Sequence, residues 1–248
     1  TNFRGWQVQS AEGDVDGQPT VQGTIHKVLQ KISRYQECQI TGTSRTDAGV
    51  HARGQIGKVS IPIEIEAETL ARGMNSLLPT DIRILRCESC SEGFNPKTCA
   101  NSKEYHYYFS CHQAENPALC DVVAQVPGPL DLERMREAAR LFVGEYDFYN
   151  FYRRSSQAAT TIRRVLRCDL HRADFSPMAE EVYYLRVTGE GFLKQMVRYI
   201  AGCLLEVGRG GLSLSQVEEA LRVHYQDKLC PKAKAEGLHL IQIEEGRS

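Results

Sequence analysis

Four side chains of different chemistry stand within seven residues of one another: Arg45, Thr46, Asp47 and His51, in the stretch G-T-S-R-T-D-A-G-V-H-A-R-G-Q of residues 42–55. A carboxylate can attack an electrophilic carbon and form a covalent intermediate if it stays ionised and is held in place, which makes Asp47 a candidate nucleophile. Gly42, Gly49 and Gly54 punctuate the stretch and predict backbone with positive φ, a loop shaped to present its side chains. Taken alone, the same residues also read as a glycine-rich turn whose Arg and Asp pair at the surface.

Three other features carry comparable chemistry. Arg198 lies in K-Q-M-V-R, where Met196, Val197 and Ile200 imply a largely buried helix and an Arg that needs a partner. Asp47 suits that role, although another acid, or solvent reached along the stem, would serve as well. Tyr105 and Tyr107 alternate on a strand, so that one ring can stack on a base and use its hydroxyl in proton transfer; half-core packing gives the same pattern. Between Arg153 and Arg172, six Arg (Arg153, Arg154, Arg163 and Arg164 among them) outnumber one acid, Asp169, a local net of +5 on a chain of net charge -1. Phosphate binding and a solvated strand face both account for it, and Lys228, Lys232 and Lys234 either extend that surface or only solubilise the chain.

The elements that must position these groups follow from periodicity. Residues 1–9 read as extended, and the acidic, Gly- and Pro-containing residues 10–20 as a loop. Apolar residues at intervals of three and four predict a helix from Val21 to about Tyr35, and a second helix spans 67–77, ending before Pro79. Strands are expected at 38–41, 55–61, 81–87 and 104–111. Asp131 caps a helix closed by Gly144; 162–172 and 181–188 are strands; Phe192 to Val207 is a helix; Ser213 with Gln216 forms a capping box; and 238–244 is the last strand. The order is β-α-β-β-α-β-β, then α-β-β-α-α-β. Two sheet-and-helix halves fit this α+β pattern: 1–111, carrying Asp47 and Tyr105, and 131–248, carrying Arg198. The Pro-rich residues 112–130 connect them, and the junction makes a natural cleft.

Composition narrows the class. At 42% hydrophobic and 25% charged residues the chain is an ordinary globular protein, with no apolar run long enough to span a bilayer. Nine Cys, an odd and scattered set, predict reduced thiols in an intracellular protein, with no basis for choosing among compartments. Cys87 and Cys90 lack the second spaced pair that a zinc site needs, so no metal is expected. There is no phosphate-binding G-x-x-x-x-G-K, no G-x-S-x-G, no H-E-x-x-H and no G-x-G-x-x-G after a strand, which leaves acid-based chemistry without an evident cofactor.

With these residues in view, the sequence resembles the TruA family of tRNA pseudouridine synthases over nearly its whole length. Phe3-Arg4-Gly5-Trp6-Gln7-Val8-Gln9 is similar to the family's opening F-x-G-W-Q-x-Q, and Arg45 to His51 matches its R-T-D-A-G-V-H without a mismatch, with Gly54-Gln55 following. Asn75, Leu78-Pro79 and Asp81-Ile82 resemble N-x-x-L-P-x-D-I; Tyr105 and Tyr107 resemble Y-x-Y; Asp147-Phe148 and Phe151 resemble D-F-x-x-F; Met196-Val197-Arg198 and Ala235-Glu236-Gly237-Leu238 resemble M-V-R and A-x-G-L. The family's first strand would precede Thr1, and Glu104 stands where its members tend to be basic.

The resemblance implies an isomerase with the pseudouridine synthase fold, its two halves flanking a central basic cleft. Asp47 would attack the target uridine at C6 of the base or C1′ of the ribose; the N1–C1′ bond breaks, the uracil turns while held, and C5 joins C1′. Neither cofactor nor metal is implied. Arg198 would pair with Asp47, Tyr105 would stack on the uracil, and Arg45 would fill the space left by the flipped nucleotide. Thr46, His51 and Gln55 from the loop, with Arg153, Arg154, Arg163 and Arg164, would contact the RNA. The implied partner is the anticodon arm of tRNA, with other RNA a further possibility, no membrane, and a homodimer as the working form of bacterial members. A catalytically idle RNA-binding or assembly factor on the same fold is the alternative, and retention of Asp47, Tyr105 and Arg198 together favours the enzyme.

Overall fold

The computed structural model describes residues 2–8, 18–112, 116–154, 158–175 and 181–246. It is an α+β protein whose chain divides into two compact units. The first holds residues 1–49 and 55–100; the second holds 50–54 and 101–245. The expected acidic loop at 10–20 falls largely outside the described residues.

In the first unit, helix α1 (Val21–Ile32) begins at Thr20, whose hydroxyl accepts from the Gly23 amide, and helix α2 is Ala67–Leu77. Strands β1 (Gln39–Gly42) and β3 (Gly57–Ser60) pair antiparallel, Gly42 opposite Gly57. Trp6, Ile25, Val28, Leu29, Leu70 and Met74 form its core. Residues 2–8 and 81–87 are not strands. For the second of these the reason is Asn75 on α2. Its side-chain amide accepts from the Ile84 N–H and donates to the Ile84 carbonyl, so a side chain takes the backbone groups a neighbouring strand would have used.

The second unit is one mixed sheet. Strands β2 (His51–Ala52), β9 (Leu238–Glu245), β4 (Ala100–Ser110), β8 (Val182–Gly189), β7 (Ile162–Arg172) and β6 (Gly144–Asp147) lie in that order, and the short β5 (Ala124–Gln125) also pairs with β4. Helix α3 (Leu132–Leu141) packs on β7 and on helix α4 (Met196–Gly208); helix α5 (Leu214–Ala220) opens with the expected Ser213–Gln216 capping box. Phe142, Phe148 and Phe151 are fully buried against one another, so the D-F-x-x-F residues build core. No helix among the described residues is long and apolar enough to cross a membrane.

The division of the chain differs from the expected one. Residues 112–130 lie within the second unit, and the break falls at Ala100/Asn101. Strand β4 pairs with β8 from Lys103↔Gly189 to Ser110↔Val182, and the Pro-rich segment adds β5 to that same sheet. Hydrogen-bonded register outweighs proximity in sequence. Tyr105 consequently belongs with Arg198, and Asp47 lies in the other unit.

Candidate active site

Asp47 sits in the irregular segment between β1 and β2, half-buried. The Trp6 N–H donates to the Thr46 carbonyl at 3.1 Å, and Gly5, at φ +86°, lies so close that a β-carbon there would be 2.3 Å from the Thr46 oxygen. Trp6 itself is buried flat against Gly42, where a β-carbon would come within 2.4 Å of its ring. At the other end of the loop, the Gln55 side chain accepts from the Ser44 N–H (3.2 Å) and donates to the Ser44 carbonyl (2.6 Å). The loop is thus held by backbone contacts and two glycines. Of the three glycines expected to have positive φ, only Gly49 does (φ +80°); Gly42 and Gly54 are instead close-approach positions, Gly54 against the Ile241 carbonyl of the second unit to which it belongs. Arg45 is exposed and Thr46 half-buried.

In the second unit Tyr105 and Tyr107 do share a face of β4, and both are buried. The Tyr105 ring meets the edge of Phe192 (centroids 5.3 Å apart, planes at 88°), and burial pushes the Tyr107 phenol pKa up. Arg198 is 8% exposed, its Nε donating to the Ala233 carbonyl at 2.9 Å while its own carbonyl accepts from the Ala233 N–H at 3.0 Å. The helix that carries it starts at Met196, later than the periodicity suggests, because Gln195 takes up left-handed backbone (φ 65°). That break frees Phe192 from the helical stripe in which its spacing places it, and lets it face Tyr105. Neither Phe192 nor Ala233 is singled out by the sequence; only their nearness to M-V-R and A-x-G-L hints at them.

The remaining predicted contacts divide. His51 is on β2, its Nε2 donating to the Asp121 carbonyl (2.7 Å) and its ring stacked on His239 at 4.6 Å; burial lowers its pKa. Arg154 turns inward: its guanidinium donates to the carbonyls of Tyr225, Gln226 and Asp227 and to Asn150 Oδ1, and lies 4.6 Å over the Tyr149 ring. Arg163 is half-buried and donates to the Thr160 and Ile162 carbonyls. Arg153 and Arg164 are exposed, Arg164 in a loose 3.8 Å pair with Glu190. Gln55 shapes the loop with both ends of its amide. No group of three or more His, Cys, Asp or Glu able to hold a metal occurs among the described residues.

In the first unit a carboxylate on a shaped loop can supply a nucleophile; in the second, a buried guanidinium and a buried tyrosine can supply a fixed positive charge and a flat surface for a base. Comparison with known proteins bears on the same chemistry. A family model described as tRNA pseudouridine synthase matches residues 138–244. The tRNA pseudouridine synthase A 2 of Desulfotalea psychrophila is 50% identical over 248 residues, covering 98% of this chain and 94% of that protein. The tRNA pseudouridine synthase A of Bacillus pumilus is 34% identical over 244 residues, and that of Thermodesulfovibrio yellowstonii 33% over 252, each covering 98% of this chain and 94% of the relative.

Proposed function

This chain belongs to the family of tRNA pseudouridine synthases, which are isomerases, and from that premise we propose that it converts uridine to pseudouridine in the anticodon stem-loop region of tRNA with Asp47 as nucleophile. The observation that carries the reading is the R-T-D-A-G-V-H loop, whose Asp47 is braced from behind by Gly5 and Trp6. A scaffold has no need of a nucleophile held in this way.

In this reading the target nucleotide is extruded, because its glycosidic atoms are out of reach in a stacked arm. Asp47 attacks C6 of the base or C1′ of the ribose, the N1–C1′ bond breaks, the uracil turns and C5 bonds to C1′; the bond to Asp47 then breaks and frees the carboxylate, the C5 proton passes to solvent and N1 regains one. Substrate and product are isomers, so the atoms balance without a cofactor. Arg198, buried on its helix, supplies a fixed positive charge for the reaction. Tyr105, stiffened by Phe192, offers its ring to the uracil. Arg45 occupies the space the nucleotide leaves, Thr46 and His51 line the approach, and Arg153 and Arg164 take phosphates. The working form is a homodimer, as the resemblance implies for bacterial members, in the intracellular setting that the scattered cysteines point to.

The test is chemical mapping of pseudouridine in tRNA transcripts incubated with the protein, beside Asp47→Ala. New pseudouridine in the anticodon arm with wild type and none with the variant is the expected result. RNA bound with unchanged affinity by both proteins, and no product from either, would replace the enzyme with an RNA-binding factor.

A further inference from the structure

Helix α4 carries an interior glycine, Gly202, one turn beyond Arg198 and on the same face. A glycine there costs the helix about 0.5–1 kcal/mol relative to alanine. Its neighbours explain why alanine does not fit: a β-carbon would lie 2.0 Å from the Pro231 carbonyl oxygen and 3.2 Å from the Ala233 nitrogen. The chain at 228–234, which has neither helix nor strand, runs over this face of α4.

It is tied down at several points. Lys228 lies 4.6 Å over the Tyr199 ring and donates to the Tyr152 carbonyl; the Cys230 thiol points at the Tyr199 carbonyl (3.6 Å). Lys232 donates to the side chain of Gln195 (3.0 Å), the left-handed residue at which α4 begins. At the centre Ala233 makes its two bonds to Arg198, one to the backbone and one to Nε of the guanidinium. A long, buried Arg loses its rotational freedom when Nε is engaged, and any carboxylate must then meet it end-on through the two terminal nitrogens.

We infer that residues 228–234 are a strap that positions Arg198 for the isomerisation, and that Gly202 is the positioning residue that admits it. The inference rests on the assignment of Arg198 to that reaction. Gly202 touches no reacting atom; it acts by leaving the space that the Pro231 carbonyl occupies, so that the chain lies close enough to α4 for the Ala233 carbonyl to accept from the guanidinium.

The experiment is Gly202→Ala in the full chain, with three readouts. Amide hydrogen exchange at Ala233 should accelerate about tenfold or more as the strap lifts. kcat on a tRNA transcript should fall on the order of 10²-fold with KM little changed, since orientation and not RNA binding is lost. On an Arg198→Lys background the same substitution should cost almost nothing further, because the group it positions is already gone. If Gly202→Ala does not fold, Lys228→Met with Lys232→Met unties the strap at its anchors and should give a smaller loss in the same direction, in kcat; a rise in KM alone would make these lysines RNA contacts and overturn the strap. Accelerated exchange at Ala233 with wild-type kcat would also overturn it, as would an equal loss on both backgrounds, which marks a general packing defect. A wild-type protein that forms no pseudouridine removes the parent reading and the strap's role with it, and the exchange result alone would then describe a structural clasp.

Discussion

The two units hold their catalytic candidates by opposite means. In the first, Asp47 stands on irregular chain and is placed by backbone: a carbonyl bonded by Trp6, a glycine pressed against it, a Gln amide closed on Ser44. In the second, Tyr105 and Arg198 ride on a strand and a helix and are placed by the packing of their own side chains. A loop has no periodic face to bury, so its geometry must come from close contacts that tolerate few residue types. A helix or strand inherits its geometry and needs only neighbours of the right shape. The difference also sets what each unit is sensitive to: six of the seven histidines belong to the second unit, and His239, His51 and His106 all have pKa values lowered by burial there.

Acid should therefore separate the units. Burial brings His239 down to about 4, well under its ordinary value. In the unfolded chain the same imidazole takes a proton near pH 6.5, so between those limits the unfolded state binds more protons. The stability this gives is complete above about pH 6.5 and is lost as pH falls toward 4, to a total of about 3 kcal/mol from His239, with His51 and His106 adding in the same direction. Residue-resolved hydrogen exchange should show protection fading in β4, β8 and β9 across that window while α1 keeps its own, and His239→Phe should flatten the dependence. Equal fading in both units would break the contrast.

Gly5→Ala probes the other side. Its β-carbon would meet backbone, which cannot rotate away, at a φ that disfavours any side chain. Displacing the Thr46–Asp47 backbone should cost on the order of 10²-fold in kcat, with unfolding of the second unit unmoved. Gln55→Ala is milder. It leaves the backbone groups of the buried Ser44 without their side-chain partner, at about 1–3 kcal/mol of first-unit stability by thermal unfolding.

The same contrast explains what was legible in the sequence. Helices α1, α2, α3 and α5 and the strands β7, β8 and β9 could be read from spacing and caps, because their periodic faces are the faces that pack. Asp47 and Arg198 stand out in the sequence as a carboxylate among glycines and an Arg inside an apolar helix, and the structure holds the first half-buried on its loop and the second buried on α4. What was hidden is long-range pairing. Nothing local to β4 says that it joins β8, so Tyr105 reads with the first half by sequence and groups with Arg198 by register. Asn75 turns an alternating segment at 81–87 into a loop through a side-chain bond across nine residues. Gln195 ends a helical stripe by adopting backbone more usual for glycine. The stretch 153–172 reads as one basic patch, but Arg154 and Arg163 donate to nearby carbonyls while Arg153 and Arg164 are exposed.

Arg154 and Arg164 give the smallest effect and the sharpest reading of that patch. Both come from the same basic stretch. Arg154 spends its guanidinium on three carbonyls and Asn150, so it braces the chain at 225–227 and has little left for phosphate. Arg164 has more than half its side chain in solvent, and its pair with Glu190, exposed on both sides, contributes almost nothing to stability. A phosphate can take it at little cost. Each Arg–phosphate contact releases a counterion, so Arg164→Ala should reduce the slope of log Kd for tRNA against log salt by about one. Arg154→Met should leave that slope unchanged and lower the thermal stability of the second unit, because four hydrogen bonds and a ring contact vanish together. Equal slopes for wild type and Arg164→Ala would assign the patch to solvation. A reduced slope for Arg154→Met would mean that the carbonyls surrender this guanidinium when RNA arrives.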